Sequence, residues 1–278
     1  MDEMATAFAR DGVLVVEDFV DQAARDRLKD RIGDLVETFD PDSVKTIFST
    51  SRQSHAADEY FKESGDKVRF FLEEEAFDAD GVLAKPKDRV LNKIGHAMHD
   101  LDPVFDSFSR TPQLAALAHG LGLADPGLAQ SMVIFKQPFI GGEVNLHQDA
   151  TFLHTDPVSV LGFWFALEDA DETNGCLYAI PGGHKAGLKE RFRYDSKGAL
   201  GMEALDAAEF DPADAVPLVA PAGTLVVLHG QLPHQSGPNA SPRSRLAYTL
   251  HVIDKATDWA GDNWIKRAPD NPFRGFAG

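Results

Sequence analysis

At 278 residues, with 43% apolar and 26% charged side chains, the chain has the composition of a globular protein with a sizeable core. Its formal net charge of −17 repels nucleic-acid phosphates and anionic membrane faces, so neither is an expected partner. The one cysteine, Cys176, rules out an intramolecular disulfide and a thiolate zinc cluster.

The N-terminal "MDEMATAFARDG" begins acidic, without the basic and apolar blocks of a signal peptide. No apolar run approaches the roughly 18 residues needed to cross a bilayer, and a cytoplasmic location is the expectation. A short helix is predicted from about residue 5, broken at Gly12 ahead of a buried strand in "VLVVE". An amphipathic helix is predicted over about 21–38, with Leu28, Ile32, Leu35 and Val36 at helical spacing. Residues 40–66 lack a period and read as a loop. "KVRFFLEEEAFDADGVL" predicts a strand and a hairpin turning at Asp80-Gly81. Two helices are expected within 89–123, with Pro103 and Pro112 near their starts. From about 129 to 253 come short β-rich segments such as "SMVIFKQ", "VLGFWFALED" and "GTLVVLHG", which predict an antiparallel sandwich or barrel. The acidic stretch 195–216 reads as a long loop of the kind that covers a site.

Within the β-rich half, "EVNLHQD" places His147 and Asp149 two apart, on one face if the segment is extended. By itself such a pair is ordinary. His234, beyond Gly230 and Pro233 in "HGQLPHQS", has the best setting for a third ligand. Two histidines and a carboxylate occupy one face of an octahedral metal and leave the rest open, the ligand set of non-heme Fe(II) oxygenases. Arg245 follows eleven positions after His234 and opens the next strand, where a guanidinium pairs bidentately with a carboxylate. Iron with such an anchor is what a 2-oxoglutarate-dependent oxygenase requires. A metal hydrolase or isomerase on a cupin-like barrel, or a 2-oxoglutarate-binding barrel without turnover, uses part of the same set.

These residues stand in a longer pattern: "FARDGVLVVEDF", "GDKVRFFLEE", "NKIGHAMH", "QSMVIFKQP", "GGEVNLHQDA", "LGFWFALEDA", "IPGGH", "HGQLPHQS" and "DNWIKR". In this the chain resembles the phytanoyl-CoA dioxygenase family, and within it the subgroup of phytanoyl-CoA dioxygenase domain-containing proteins. The resemblance implies a mainly β fold with flanking helices: a double-stranded β-helix (jelly-roll) with N-terminal helices packed on it. It implies one domain over 1–278, with a helical part to about 128, a jelly-roll core of about 129–253 and a tail at 254–278. Fe(II), 2-oxoglutarate and dioxygen are the implied cofactors, and a small molecule the implied substrate. His147, Asp149 and His234 match the metal ligands. Lys93, Met132, Trp164, Ser236 and Arg245 match positions lining the 2-oxoglutarate pocket, Arg245 as carboxylate anchor. Relatives that halogenate carry a small residue at the aspartate position, so Asp149 implies hydroxylation. Gly183 stands where many relatives have serine, and Asn145 where relatives vary.

The remaining histidines attract simpler expectations. His96 and His99 have helical spacing and read as a packed or solvated face; His184, His229 and His251 read as structural, and His154 as part of the active-site loop. Cys176 reads as a small buried apolar residue, Arg69 as a partner for nearby glutamates, and "KAGLKERFR" (185–193) as a charged loop rather than a coenzyme A phosphate site.

Overall fold

The computed structural model describes residues 2–41, 59–73, 75–78, 80 and 82–276. Its helices are α1 (Asp2–Asp11), α2 (Gln22–Thr38), α3 (Glu59–Lys62), α4 (Met98–Leu101), α5 (Pro103–Ser109) and α6 (Pro112–Gly120). The strands are β1 (Val13–Val16), β2 (Val68–Leu72), β3 (Leu91–His96), β4 (Pro126–Lys136), β5 (Val144–His147), β6 (Thr155–Asp156), β7 (Leu161–Ala166) and β8 (Leu177–Ala179). They continue with β9 (Glu190–Tyr194), β10 (Leu200–Ala204), β11 (Val216–Leu218), β12 (Leu225–His229), β13 (His234–Ser236), β14 (Arg245–Asp254) and β15 (Asp258–Trp259).

Two antiparallel sheets form the barrel. The larger runs β1-β12-β7-β14-β4-β3-β2 and the smaller β11-β8-β13-β5. From β4 the chain alternates between them: β4 large, β5 small, β7 large, β8 and β11 small, β12 large, β13 small, β14 large. That winding is the double-stranded β-helix of a jelly roll.

Period-2 geometry sorts the apolar residues of the large sheet between two cores. Leu161, Phe163 and Phe165 of β7, Leu225 and Val227 of β12, and Leu246, Tyr248, Leu250 and Val252 of β14 all join a core shared with the helices. Their alternates Trp164, Ala166, Val226, Leu228 and Ala247 join a second core inside the barrel. Phe105 and Phe108 of α5 lie against Tyr248 at 5.1 and 5.7 Å between ring centres, which fixes that helix on the outer face. Local chemistry starts the helices where packing wants them. Asp21 accepts from Ala24 N ahead of α2, and Asp102 accepts from Val104 N and Phe105 N ahead of α5. Pro103 and Pro112 each occupy the first turn, where no N–H is missed.

Several expectations need correction. Within 89–123 the helices that begin at Pro103 and Pro112 are present as α5 and α6, but residues 91–96, in a stretch where only helices were expected, form β3, paired with β2 and β4. All six residues are buried, so no alternation marked the segment as a strand. His96 and His99 therefore do not share a helix. The expected loop at 40–66 contains α3, with Phe61 buried beneath it; residues 42–58 lie outside the described residues. Phe77 and Leu83 bridge as a hairpin would, while Gly81 of the expected turn lies outside the described residues. The stretch 195–216 is not one loop: it carries β10, which forms a hairpin with β9.

Candidate metal centre

His147 ends β5, and its direct cross-strand partner on β13 is His234. Gln148 is extended, and Asp149 opens a 3-10 turn to Thr151. The buried Gln148 side chain anchors this passage: its amide donates to Gly187 O and Gln231 O at 2.9 and 2.6 Å, and its oxygen accepts from Lys189 N at 2.9 Å. The two ligand candidates on either side of it thereby turn to the barrel interior. One ligand atom from each of His147, Asp149 and His234 lies within 4.8 Å of the others.

Both rings present Nε2. His147 Nδ1 lies 2.8 Å from Asn145 O and His234 Nδ1 lies 3.0 Å from Leu232 O, so Nδ1 carries the proton and the Nε2 lone pair faces inward. Those Nε2 atoms are 3.8 and 3.7 Å from Asp149 Oδ1. Burial, then the neighbouring His234, pushes His147 down to about 4. Its ring is thus neutral and ready to ligate at neutral pH. Burial alone would raise the Asp149 carboxyl, but His251 and His234 outweigh it and hold it below the ordinary carboxylate range. Asp149 Oδ2 is buried with no hydrogen-bond partner among the described residues. A buried carboxylate left part-satisfied is costly. With two aimed imidazoles beside it, this is a donor set that fits a divalent cation.

The cavity around this centre has a volume of about 790 Å³. All eight site residues expected from the sequence line it: His147, Asp149, His234, Lys93, Met132, Trp164, Ser236 and Arg245. Arg245 is buried at 1% exposure. Its Nε and one terminal nitrogen donate to Gly175 O at 3.1 and 2.9 Å, and its Nη1 has no acceptor among the described residues. Trp164 lies beneath the guanidinium at 5.5 Å. Burial draws Arg245 down to about 10, still charged at neutral pH, and draws Lys93 to about 7.

Among the cavity residues not expected from the sequence, two stand out. Lys136, directly across from Arg245, donates to Gly237 O at 2.8 Å and to Gly142 O. His251, expected to be structural, brings Nε2 to 3.3 Å from Asp149 Oδ1. The signal for both was strand period: Met132 and Lys136 share a face of β4, and Arg245, Thr249 and His251 share a face of β14. His96 also lines the cavity, held by Ser64 at 2.8 Å. Among the described residues the other histidines do not line it: His99 pairs with Asp100 at 3.2 Å, His184 and His229 lie ring to ring at 4.9 Å, His119 Nδ1 lies 2.9 Å from Leu123 O, and His154 donates its backbone N–H to Asn263 Oδ1 at 3.2 Å.

Surface expectations resolve similarly. Arg69 pairs with Glu63 at 3.1 Å. In the 185–193 segment, Lys189 pairs with Asp206, Arg191 with Asp262, and Arg193 with Glu203 and Asp262, at 2.5 to 2.7 Å. Asn145 lines the cavity. At Gly183 a side chain's first carbon would meet Pro233 Cδ at 2.8 Å, which accounts for glycine in this chain.

A family model for phytanoyl-CoA dioxygenase (PhyH) matches residues 8–247. A phytanoyl-CoA dioxygenase of Arabidopsis thaliana is 46% identical over 262 residues, spanning 94% of this chain and 92% of its own. Phytanoyl-CoA dioxygenase domain-containing protein 1 of Mus musculus is 44% identical over 278 residues, spanning 96% and 94%. Among solved structures, EctD from S. alaskensis with 2-oxoglutarate and 5-hydroxyectoine matches at a TM-score of 0.62 and 20% identity, over 97% of this chain and 88% of that one. The epimerase SnoN in complex with Fe3+ and alpha ketoglutarate matches at 0.65 and 16%, over 99% and 93%. The structural likenesses bear on fold and the sequence matches on descent: the chain belongs to the phytanoyl-CoA dioxygenase family of iron- and 2-oxoglutarate-dependent oxygenases.

Proposed function

We propose that the chain hydroxylates a small organic substrate, with 2-oxoglutarate as cosubstrate and release of succinate and carbon dioxide. One observation carries this reading: two inward-facing imidazoles and a buried carboxylate share a cavity with a buried arginine whose Nη1 lacks an acceptor among the described residues. A hydrolase or isomerase has no use for that arginine.

In this reading His147, Asp149 and His234 hold Fe(II), which when bound supplies the oxidising chemistry that couples 2-oxo acid decarboxylation to oxygen insertion. The chain's own part is positional. Arg245 receives the distal carboxylate of the cosubstrate, with Ser236 beside it on β13 and the Trp164 ring as an apolar wall. Asp149 fills the third ligand position, leaving none on the protein side for a halide. Phe61, Phe152, Phe192 and Trp264 also line the cavity, and their apolar rings help keep bulk water from the reacting carbon. A cavity of about 790 Å³ suits a cosubstrate together with a compact substrate.

The test is an anaerobic titration of Fe(II) and 2-oxoglutarate into metal-free protein, followed by the visible charge-transfer band of a chelated 2-oxo acid. A saturable band that Asp149→Ala abolishes and Arg245→Ala shifts to much higher 2-oxoglutarate supports the reading. Tight metal binding with no band overturns it in favour of metal chemistry without a 2-oxo acid. A band without succinate formation in air, across a panel of small organic compounds, favours a binding barrel.

A further inference from the structure

We propose that His251 is a positioning residue for the metal centre: its Nε2–H is directed at Asp149 Oδ1 and holds the carboxylate facing His147 and His234 before a metal arrives. This rests on the reading of His147, Asp149 and His234 as the ligand set.

The argument begins with the strand. β14 presents Arg245, Thr249 and His251 to the cavity, and its register with β4 shifts between His251 and Val252. A shift of this kind re-aims the side chain beside it. His251 is buried, and its Nε2 is 3.3 Å from Asp149 Oδ1, nearer than the Nε2 atoms of His234 at 3.7 Å or His147 at 3.8 Å. Its Nδ1 is buried with no hydrogen-bond partner among the described residues. The acceptor in reach of the ring is therefore the carboxylate, and that acceptor places the ring proton on Nε2.

The far side of the carboxylate is fixed as well. Gly162 lies across from His251 in the β14–β7 ladder, and a side-chain carbon built there would meet Asp149 Oδ2 at 2.7 Å and His251 Cδ2 at 3.7 Å. The carboxylate is held between the bare backbone of Gly162 and the edge of the His251 ring. His251 is not itself one of the ligands: the group whose donor atoms all lie within 4.8 Å takes in His147, Asp149 and His234 without it. Groups of this kind beside ligating residues typically govern metal affinity by about 10- to 100-fold.

The experiment measures Mn(II) affinity by calorimetry, without cosubstrate, for the parent and for His251→Gln, His251→Asn and His251→Leu. Glutamine carries an amide N–H to about the position of Nε2, and asparagine stops near Nδ1, too short for the carboxylate. The expected result is Mn(II) binding weakened about 10- to 100-fold in the asparagine and leucine variants and largely restored in the glutamine variant. Parent-like binding in the asparagine and leucine variants overturns the proposal. So does equal weakening in glutamine and asparagine, which signals a packing role. Should the leucine variant fail to fold, the glutamine–asparagine pair decides. Asp149→Ala separates the two levels: no binding in the parent sinks the ligand assignment and this proposal together. Binding that Asp149→Ala abolishes and His251→Asn leaves intact sinks the proposal alone.

Discussion

Gly162 shows how a residue with no side chain takes part in the centre. Its bare Cα lets Asp149 Oδ2 approach to where a methyl group would stand 2.7 Å away. Gly162→Ala is expected to displace the carboxylate and weaken Mn(II) binding by about 10- to 100-fold, with the far-ultraviolet spectrum unchanged; undiminished affinity refutes this account of the glycine. Arg245 makes a second argument at the same scale. Two of its nitrogens are committed to Gly175 O, and a planar guanidinium is needed to hold that carbonyl and a carboxylate together. Arg245→Lys keeps the charge and loses the fork. The Michaelis constant for 2-oxoglutarate is expected to rise by about 100-fold, roughly 3 kcal/mol, with a smaller change in turnover. A parent-like constant would show that charge alone suffices.

Among the elements, α5 was legible because its start is written locally. Asp102 caps it, Pro103 fits its first turn, and Phe105 and Phe108 repeat at a helical interval. Asp102 also receives Arg31 of α2 at 2.7 Å, tying two helices together. Asp102→Ala is expected to lower unfolding free energy by about 1–2 kcal/mol, mostly through the lost cap, since Arg31 is partly exposed and swings to water. Urea denaturation checks it, and a change below about 0.3 kcal/mol contradicts it. β3 was illegible for the opposite reason. "LNKIGH" is buried on both faces, so it carries no alternation, and its neighbours β2 and β4 come from distant parts of the chain. The β9–β10 hairpin was missed because its acidic residues pair with arginines across space, as Glu203 does with Arg193 at 2.5 Å, and read in sequence as a solvated loop.

At the scale of the whole molecule, burial of cations in one cavity gives the fold a pH signature. Lys136 is pushed down to about 7, by burial first and then by Arg245, and Lys93 to about 7 by burial. Between about pH 7 and 10.5 the unfolded chain holds these protons and the native state does not, so stability rises with pH across that window. Below it both states are protonated and the penalty is fully present. The slope is at most about 1.4 kcal/mol per pH unit for each lysine. Lys136→Met is expected to flatten the rise in urea midpoint between pH 7 and 9 relative to the parent, in metal-free protein. An unchanged slope would show that Lys136 is not the group concerned. Metal acts on the same equilibrium: at 100 times its dissociation constant, Mn(II) is expected to stabilise the fold by about 2.7 kcal/mol and chelation to reverse this, a melting shift of several degrees. No shift would mean that the native state does not hold the metal.

What the sequence determined by itself was the chemistry and its order along the chain. The H-x-D pair, the distant histidine and the following arginine are residue types whose capacity to ligate a metal or to pair with a carboxylate is intrinsic, and Pro, Gly and Asp mark boundaries through backbone constraints acting within a few residues. What tertiary structure decided was convergence. Only the sheet ladders put His234 opposite His147, Lys136 opposite Arg245 and His251 against Asp149. Only packing of β3 against β2 and β4 turned Lys93 and His96 into cavity residues. Side-chain type is a local property; the burial and distance that make a buried histidine a neighbour of a ligand depend on strand register between segments far apart in the chain.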